Sequence, residues 1–253
     1  MSLKALIFDV DGTLADTEMN GHRVAYNRAF ESLGVDWNWS KQRYGELLAV
    51  TGGKERMKFF VENYHPELPA DRPLQELIAE IYITKTEIFK EMLLTGLIPL
   101  RSGVARIFTE AREAGIRLAI ATTTAPSNVQ YLLSSNLGED VLDWFDIIAA
   151  GDIVENKKPS PEIYQLVLEK MALKADQCVA FEDSENGCLS ATGAGLPVII
   201  TVTSYTRNEP FIGAGLVLDQ LGDPGQPVEL IEDPQGTFNE PMLTIDYLLR
   251  NFG

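Results

Sequence analysis

Residues 4–18 read KALIFDVDGTLADTE, and no other stretch restricts the fold of this chain as strongly. Its apolar run, Ala5 to Phe8, stops at Asp9, and Asp11, Gly12 and Thr13 follow at once. A short continuous apolar run closed by a Gly signal fits a buried strand of a parallel sheet. In open α/β sheets, ligands sit beyond the carboxyl ends of such strands. Two acids there would be close together and partly desolvated, which is costly unless a cation or a proton compensates. Asp9 and Asp11 are therefore candidates for a metal-assisted carboxylate site. The plainer reading is a solvated turn, since Asp-Gly is ordinary turn chemistry. An EF-hand loop also contains D-x-D, but Gly12 to Asn20 lacks its further ligands and its closing Glu.

Beyond this strand the pattern turns helical. His22, Tyr26, Ala29, Phe30 and Leu33 share one face of a helix ended by Gly34. Helices are predicted over Lys41–Val50, Lys54–Tyr64 and Leu74–Leu94, with Pro66, Pro69 and Pro73 punctuating the space before the last. Residues 16–93 thus read as an all-helical insertion, and residues 1–15 and 94–253 as an α/β core. In the core, strands Arg117–Ala121, Asp146–Ala149, Gln177–Phe181 and Val198–Val202 alternate with helices Val104–Ala114, Asn128–Asn136, Glu162–Met171 and Glu185–Ala194. A short strand at Leu216–Leu218 and a last helix over Met242–Asn251 follow, with Gly222 to Gly236 as a long loop between them. Such alternation predicts a parallel sheet with right-handed crossovers and the first strand at its centre. Gly193 and Gly195 precede a strand, so they read as a helix end and not as a dinucleotide loop.

The formal net charge of −16 argues against nucleic acid and anionic membranes as partners. It also means that an anionic substrate needs a local cluster of Lys, Arg or metal. No apolar run reaches membrane-spanning length. No targeting pattern precedes the first strand, so a cytoplasmic setting is expected, or a chloroplast stroma if a transit peptide has been removed. Cys178 and Cys188 fall in core segments and read as buried apolar fillers. A monomer is expected.

Four predicted strand ends carry chemistry. The first holds Asp9 and Asp11, and the second Thr122 and Thr123. Lys158 follows the third, in KKPSPEIY, and Glu182 and Asp183 end the fourth. Singly each has a plain explanation: a β-branched strand end, a surface lysine, a helix cap. As an ordered set they resemble motifs I to IV of the haloacid dehalogenase (HAD) superfamily of phosphoryl-transfer enzymes. The resemblance implies a Rossmann-like parallel-sheet core with an inserted helical cap of the C1 class. It also implies that Asp9 is a nucleophile forming an aspartyl-phosphate, with Asp11 as its acid and base. Lys158 would neutralise the phosphoryl oxygens, and Thr122 with the Thr123 N–H would grip one of them. The implied cofactor is Mg2+, held by Asp9, the Asp11 carbonyl and Asp183, with Glu182 on a metal-bound water or behind the site.

The insertion bears TGGKER, Thr51 to Arg56: a Gly pair before a helix carrying Lys54 and Arg56. Backbone N–H groups at a helix start plus a cation suit a phosphate. The alternative is a plain Gly turn. Lys85 is a second basic candidate. His22 either reads substrate hydroxyls or is a hydrogen-bonded core residue. TGGKER, the segment Asp16 to Asn27 with Glu18 in it, and LGDPGQP at Leu221 to Pro227 resemble the CbbY-like branch of the superfamily, which is similar to β-phosphoglucomutase. That resemblance implies a phosphatase of a small sugar bisphosphate, xylulose 1,5-bisphosphate. A sugar phosphomutase using the same Asp9 and Asp11 is the first alternative, and a non-catalytic sugar-phosphate-binding protein the second.

Overall fold

The computed structural model describes residues 2–50, 52–69 and 72–252. Thr51, at the head of TGGKER, lies outside the described residues. The chain forms two compact units, one of residues 1–16 and 99–253, the other of residues 17–98.

The first unit is built on a seven-stranded sheet in the order β3-β2-β1-β4-β5-β6-β7. Its strands are β1 Ala5–Phe8, β2 Arg117–Ala121, β3 Phe145–Ala149, β4 Cys178–Glu182, β5 Val198–Thr201, β6 Leu216–Leu218 and β7 Leu230–Glu232. All pairings are parallel except β6 with β7. β1 is buried along its whole length, as its unbroken apolar run requires. It lies between β2 and β4, where the strand order reverses, with Ile7 opposite Ala119 on one side and Ala180 on the other. Phe8 stacks on Phe181 at 4.5 Å between ring centroids and meets Phe108 edge-on at 5.0 Å. Cys178 and Cys188 are free thiols buried in this core.

The second unit is helical. Its helices are α1 Arg23–Ser32, α2 Lys41–Leu47, α3 Gly53–Tyr64 and α4 Leu74–Leu94. Trp39 is fully buried, with the rings of Tyr26, Phe30 and Phe60 at 4.7, 5.1 and 5.5 Å. Asn27 clamps the Trp39 backbone from both sides, accepting from its N–H at 2.8 Å and donating to its carbonyl at 3.0 Å. Glu18–His22, ahead of α1, is a π-helical turn.

The remaining helices belong to the first unit: α5 Val104–Glu113, α6 Pro126–Leu137, α7 Glu162–Met171, α8 Glu185–Gly193 and α9 Ile245–Phe252. α9 starts three residues later than the sequence predicts. The Leu243 N–H is engaged by the Leu221 carbonyl at 2.8 Å, and the Thr244 hydroxyl accepts from the Tyr247 N–H, so the helix is capped there. The stretch predicted as a loop, 222–236, contains β7 and is pinned to the start of α5. Arg106 donates to the carbonyls of Leu221, Gly222 and Leu243, and Asp223 accepts from Ser102 and the Gly103 N–H. No helix among the described residues is long and apolar enough to cross a membrane.

Candidate active site

Asp9, Thr122 and Asp183 each follow the last residue of adjacent parallel strands, β1, β2 and β4, so the topology alone sets them side by side. The Asp9 N–H continues the ladder to the Phe181 carbonyl at 3.0 Å, and the Thr122 N–H bonds the Ala149 carbonyl at 2.9 Å. Both backbones are therefore held at the sheet edge. After Asp9 the chain turns tightly: the Gly12 N–H reaches the Ala15 carbonyl at 2.8 Å, and the Leu14 N–H reaches that of Val10 at 2.9 Å.

Lys158 arrives from the segment after β3. Its ammonium donates to Asp9 Oδ1 at 2.7 Å, to the Ala121 carbonyl at 2.9 Å and to Glu182 Oε1 at 2.5 Å. The neighbouring Lys157 is exposed and pairs with Asp152, so only the second lysine of KKPSPEIY reaches the acids. Ser190 of α8 donates to the Ser160 carbonyl at 2.6 Å, which ties the lysine segment to that helix. Glu182 also accepts from the Tyr164 hydroxyl at 2.5 Å. The Thr122 side chain is buried and its hydroxyl accepts from the Thr124 N–H at 3.3 Å, whereas Thr123 is exposed. Asp11 is half-buried and bridges to Ala15.

Asp9, Glu182 and Asp183 each offer a carboxylate oxygen within 4.8 Å of the others, and all three residues are buried. Two glycines make room for them. A Cβ on Gly12 would stand 2.0 Å from Asp183 Oδ2, and one on Gly187 would stand 1.9 Å from Glu182 Oε2. Burial first, and then the charges of Asp9 and Glu182, push the Asp183 carboxyl well above the ordinary aspartate range. Burial likewise raises Glu182, against the pull of Lys158. For Lys158, burial opposes the charge, but Asp9 and Glu182 outweigh it and hold its pKa above the ordinary value. Two cations thus act on three acids, Lys158 bonded to Asp9 and Glu182, and the Arg101 guanidinium close enough to draw on Asp183. An all-oxygen, over-acidic pocket of this kind fits a hard divalent cation, which would relieve the repulsion.

Arg101 is a component that sequence reasoning did not single out. Its guanidinium donates to the carbonyls of Gly12, Thr201, Val202 and Asp219, the last three at 2.8, 2.6 and 2.5 Å. It therefore fastens the turn after β1 to the segments after β5 and β6. Burial pulls its pKa down, opposed by Asp183, Asp16 and Asp219. An arginine just before the Ser-Gly that opens α5, in an otherwise apolar IPLRSGV, was the available signal.

The helical unit brings its own polar set together. Tyr44 donates to Glu18 Oε2 at 2.6 Å and receives Arg56 Nη1 at 3.0 Å. Arg56 Nε also bonds the carbonyl of Leu47 at 3.2 Å, where α2 ends. Burial and then the negative charge of Glu18 push the Tyr44 hydroxyl far above the ordinary value, so it stays a donor. His22 Nδ1 lies 2.9 Å from Lys85 Nζ, with its ring 3.9 Å from that of Phe89. Burial, then Lys85, then Arg56 hold the His22 imidazole well below its ordinary 6.5. At neutral pH it is uncharged, and Nδ1 accepts from the ammonium. Lys54 is exposed in the first turn of α3, its Nζ 5.1 Å from the Tyr82 ring centroid.

Comparison with known proteins gives this geometry a family. Residues 3–195 match the profile of the haloacid dehalogenase-like hydrolases. The chain is 45% identical over 226 residues to the CbbY protein of Cupriavidus necator, an overlap covering 89% of each chain. It is 40% identical to a CBBY-like protein of Arabidopsis thaliana, over 87% of this chain and 70% of that protein. Among solved structures, CbbY from Rhodobacter sphaeroides in complex with phosphate superposes with a TM-score of 0.72 at 47% identity, covering 88% of this chain and 96% of that one. The same bacterium's CbbY in mutant form, bound to xylulose 1,5-bisphosphate, gives 0.71 at 47% identity, over 86% and 94%. The chain belongs to the haloacid dehalogenase-like hydrolase family. Within it, the chain is a phosphatase, a phosphoric monoester hydrolase.

Proposed function

We propose that this phosphatase is magnesium-dependent and removes one phosphate from a small sugar bisphosphate, xylulose 1,5-bisphosphate being the best match, through an aspartyl-phosphate on Asp9. The observation that carries it is the meeting of Asp9, Lys158, Glu182 and Asp183 at the carboxyl ends of β1 and β4. The likeness to CbbY, one form of which was solved with that bisphosphate, supports the choice of substrate.

Asp9 attacks phosphorus and the ester oxygen leaves. Asp11 gives that oxygen a proton, then takes one from the water that attacks the phosphoryl-aspartate, and Asp9 is released as a carboxylate. Thr122 and the Thr123 N–H hold a phosphoryl oxygen, and Lys158 offsets its charge. When bound, magnesium supplies further positive charge to the phosphoryl oxygens, held by Asp9, the Asp11 carbonyl and Asp183, with Glu182 behind them. Lys54 and Arg56 bind the phosphate that does not react, while Glu18, His22 and Lys85 serve recognition of the sugar.

The experiment is a panel of pentulose and hexose mono- and bisphosphates assayed with magnesium, scoring phosphate release against isomer formation. Net phosphate release, highest for the pentulose bisphosphate, is expected. Isomer formation without net release would assign a mutase instead, and binding without turnover a sugar-phosphate-binding protein.

A further inference from the structure

The three hydrogen bonds of Lys158, to Asp9, Ala121 and Glu182, are all that an ammonium can donate. A phosphoryl oxygen therefore reaches this cation only by displacing one of the three acceptors. The Ala121 carbonyl is backbone at a strand end, and Asp9 is the nucleophile whose ionised form the lysine must support. Glu182 is the acceptor left to be released. Releasing it is costly if it is stranded, because a buried carboxylate stripped of its donors loses more than the bond is worth.

The structure contains a replacement donor. The hydroxyl of Tyr164, in the first turn of α7, donates at 2.5 Å to the same Oε1 of Glu182 that Lys158 uses. Both Tyr164 and Glu182 are fully buried, and the other oxygen of Glu182 sits so near Gly187 that a Cβ there would stand 1.9 Å from it. The Tyr164 ring lies 5.3 Å from Lys158 Nζ, close enough for its face to attract the cation.

We propose that Tyr164 is a positioning residue: it keeps hold of Glu182 while the Lys158 ammonium exchanges Glu182 for a phosphoryl oxygen, and so makes that exchange cheap. The proposal rests on the phosphatase reading above and deepens it. No bond to phosphorus is made or broken in this step.

Tyr164→Phe keeps the ring and removes only the donor. The test is calorimetric titration of magnesium-loaded protein with inorganic phosphate, which needs no turnover. The phosphate Kd is expected to rise about tenfold, the scale of one hydrogen bond to a charged group, while the magnesium midpoint moves less than about twofold. A lowered melting temperature with unchanged phosphate affinity would make Tyr164 merely structural and overturn the proposal. So would a shift confined to magnesium. In a Glu182→Gln background the lysine is no longer held by a carboxylate, so the Tyr164 effect should shrink below about twofold; additive losses contradict the exchange. Should the phenylalanine variant not fold, nuclear magnetic resonance of the wild type decides. Saturating phosphate should shift the Lys158 Nζ resonance and leave the Tyr164 hydroxyl proton protected; an unmoved lysine, or an exposed hydroxyl, refutes the idea. If these binding results hold while no sugar phosphate is hydrolysed, the substrate assignment fails and the exchange stands.

Discussion

Replacing Gly12 by alanine puts the geometry of the acid cluster at risk through a single methyl group. Gly12 has φ of +92°, and its Cβ would lie 2.0 Å from Oδ2 and 2.4 Å from Cγ of Asp183. Ordinary contacts begin near 3.4 Å. The carboxylate must therefore retreat by more than about 1 Å, and a misplacement of that size costs on the order of 100-fold in rate. Left-handed backbone adds about 1–2 kcal/mol of strain for alanine, and with the overlap the total loss of stability is about 2–4 kcal/mol. Gly115→Ala is the control, since Gly115 also has positive φ, +71°, but nothing within 4 Å of the added Cβ. Urea unfolding with chelator gives the stabilities, and phosphate release against magnesium concentration gives the half-saturation. Gly12→Ala should raise the half-saturation about tenfold or more and cut kcat about 100-fold. Gly115→Ala should show strain alone. If the two variants match in stability and magnesium dependence, Asp183 is not the ligand assigned here.

Lysine at position 101 cannot span the four carbonyls that the Arg101 fork joins, so Arg101→Lys should cost about 2–3 kcal/mol, read as a lowered urea midpoint. The depressed pKa of His22 gives a signed pH effect. As pH falls, the unfolded chain takes up the proton first, so the stability is present above 6.5 and is lost below it, at no more than about 1.4 kcal/mol per pH unit. Urea unfolding at pH 7.5 and 5.5 should show this slope in the wild type and a flatter one in His22→Gln. Lys54→Ala should raise KM about tenfold for bisphosphates and much less for monophosphates, because only the former carry a second phosphate; equal losses would remove Lys54 from substrate recognition.

Much of the core was readable because parallel strands buried on both faces are continuous apolar runs. Arg117–Ala121 and Leu216–Leu218 begin and end where the sequence places them, as do helices Leu74–Leu94, which opens after Pro73, and Glu162–Met171. The strand Leu230–Glu232 was not readable. It has three residues, two of them exposed, and exists only because β6 offers a free edge, so no apolar pattern marks it. The π-helical turn at Glu18–His22 shifts register by a hydrogen-bonding change that periodicity does not reveal. In the candidate site, Asp9, Glu182 and Asp183 stood out because charge directly follows an apolar run. Tyr164 did not, since it shares an apolar helix face with Ile163 and Val167 and looks like core. Its hydrogen bond to Glu182 and the approach of its ring to Lys158 Nζ distinguish it.

Whether Asp9 becomes phosphorylated during turnover decides the mechanism. Turnover of the sugar bisphosphate with magnesium is quenched in acid, the protein is reduced with borohydride, and its peptides are read by mass spectrometry. Reduction converts a phosphorylated aspartate to homoserine, and this conversion is expected at position 9, in step with turnover and absent from Asp9→Asn. Homoserine at another position, or undiminished phosphate release from Asp9→Asn, would contradict the nucleophile on which everything else here is built.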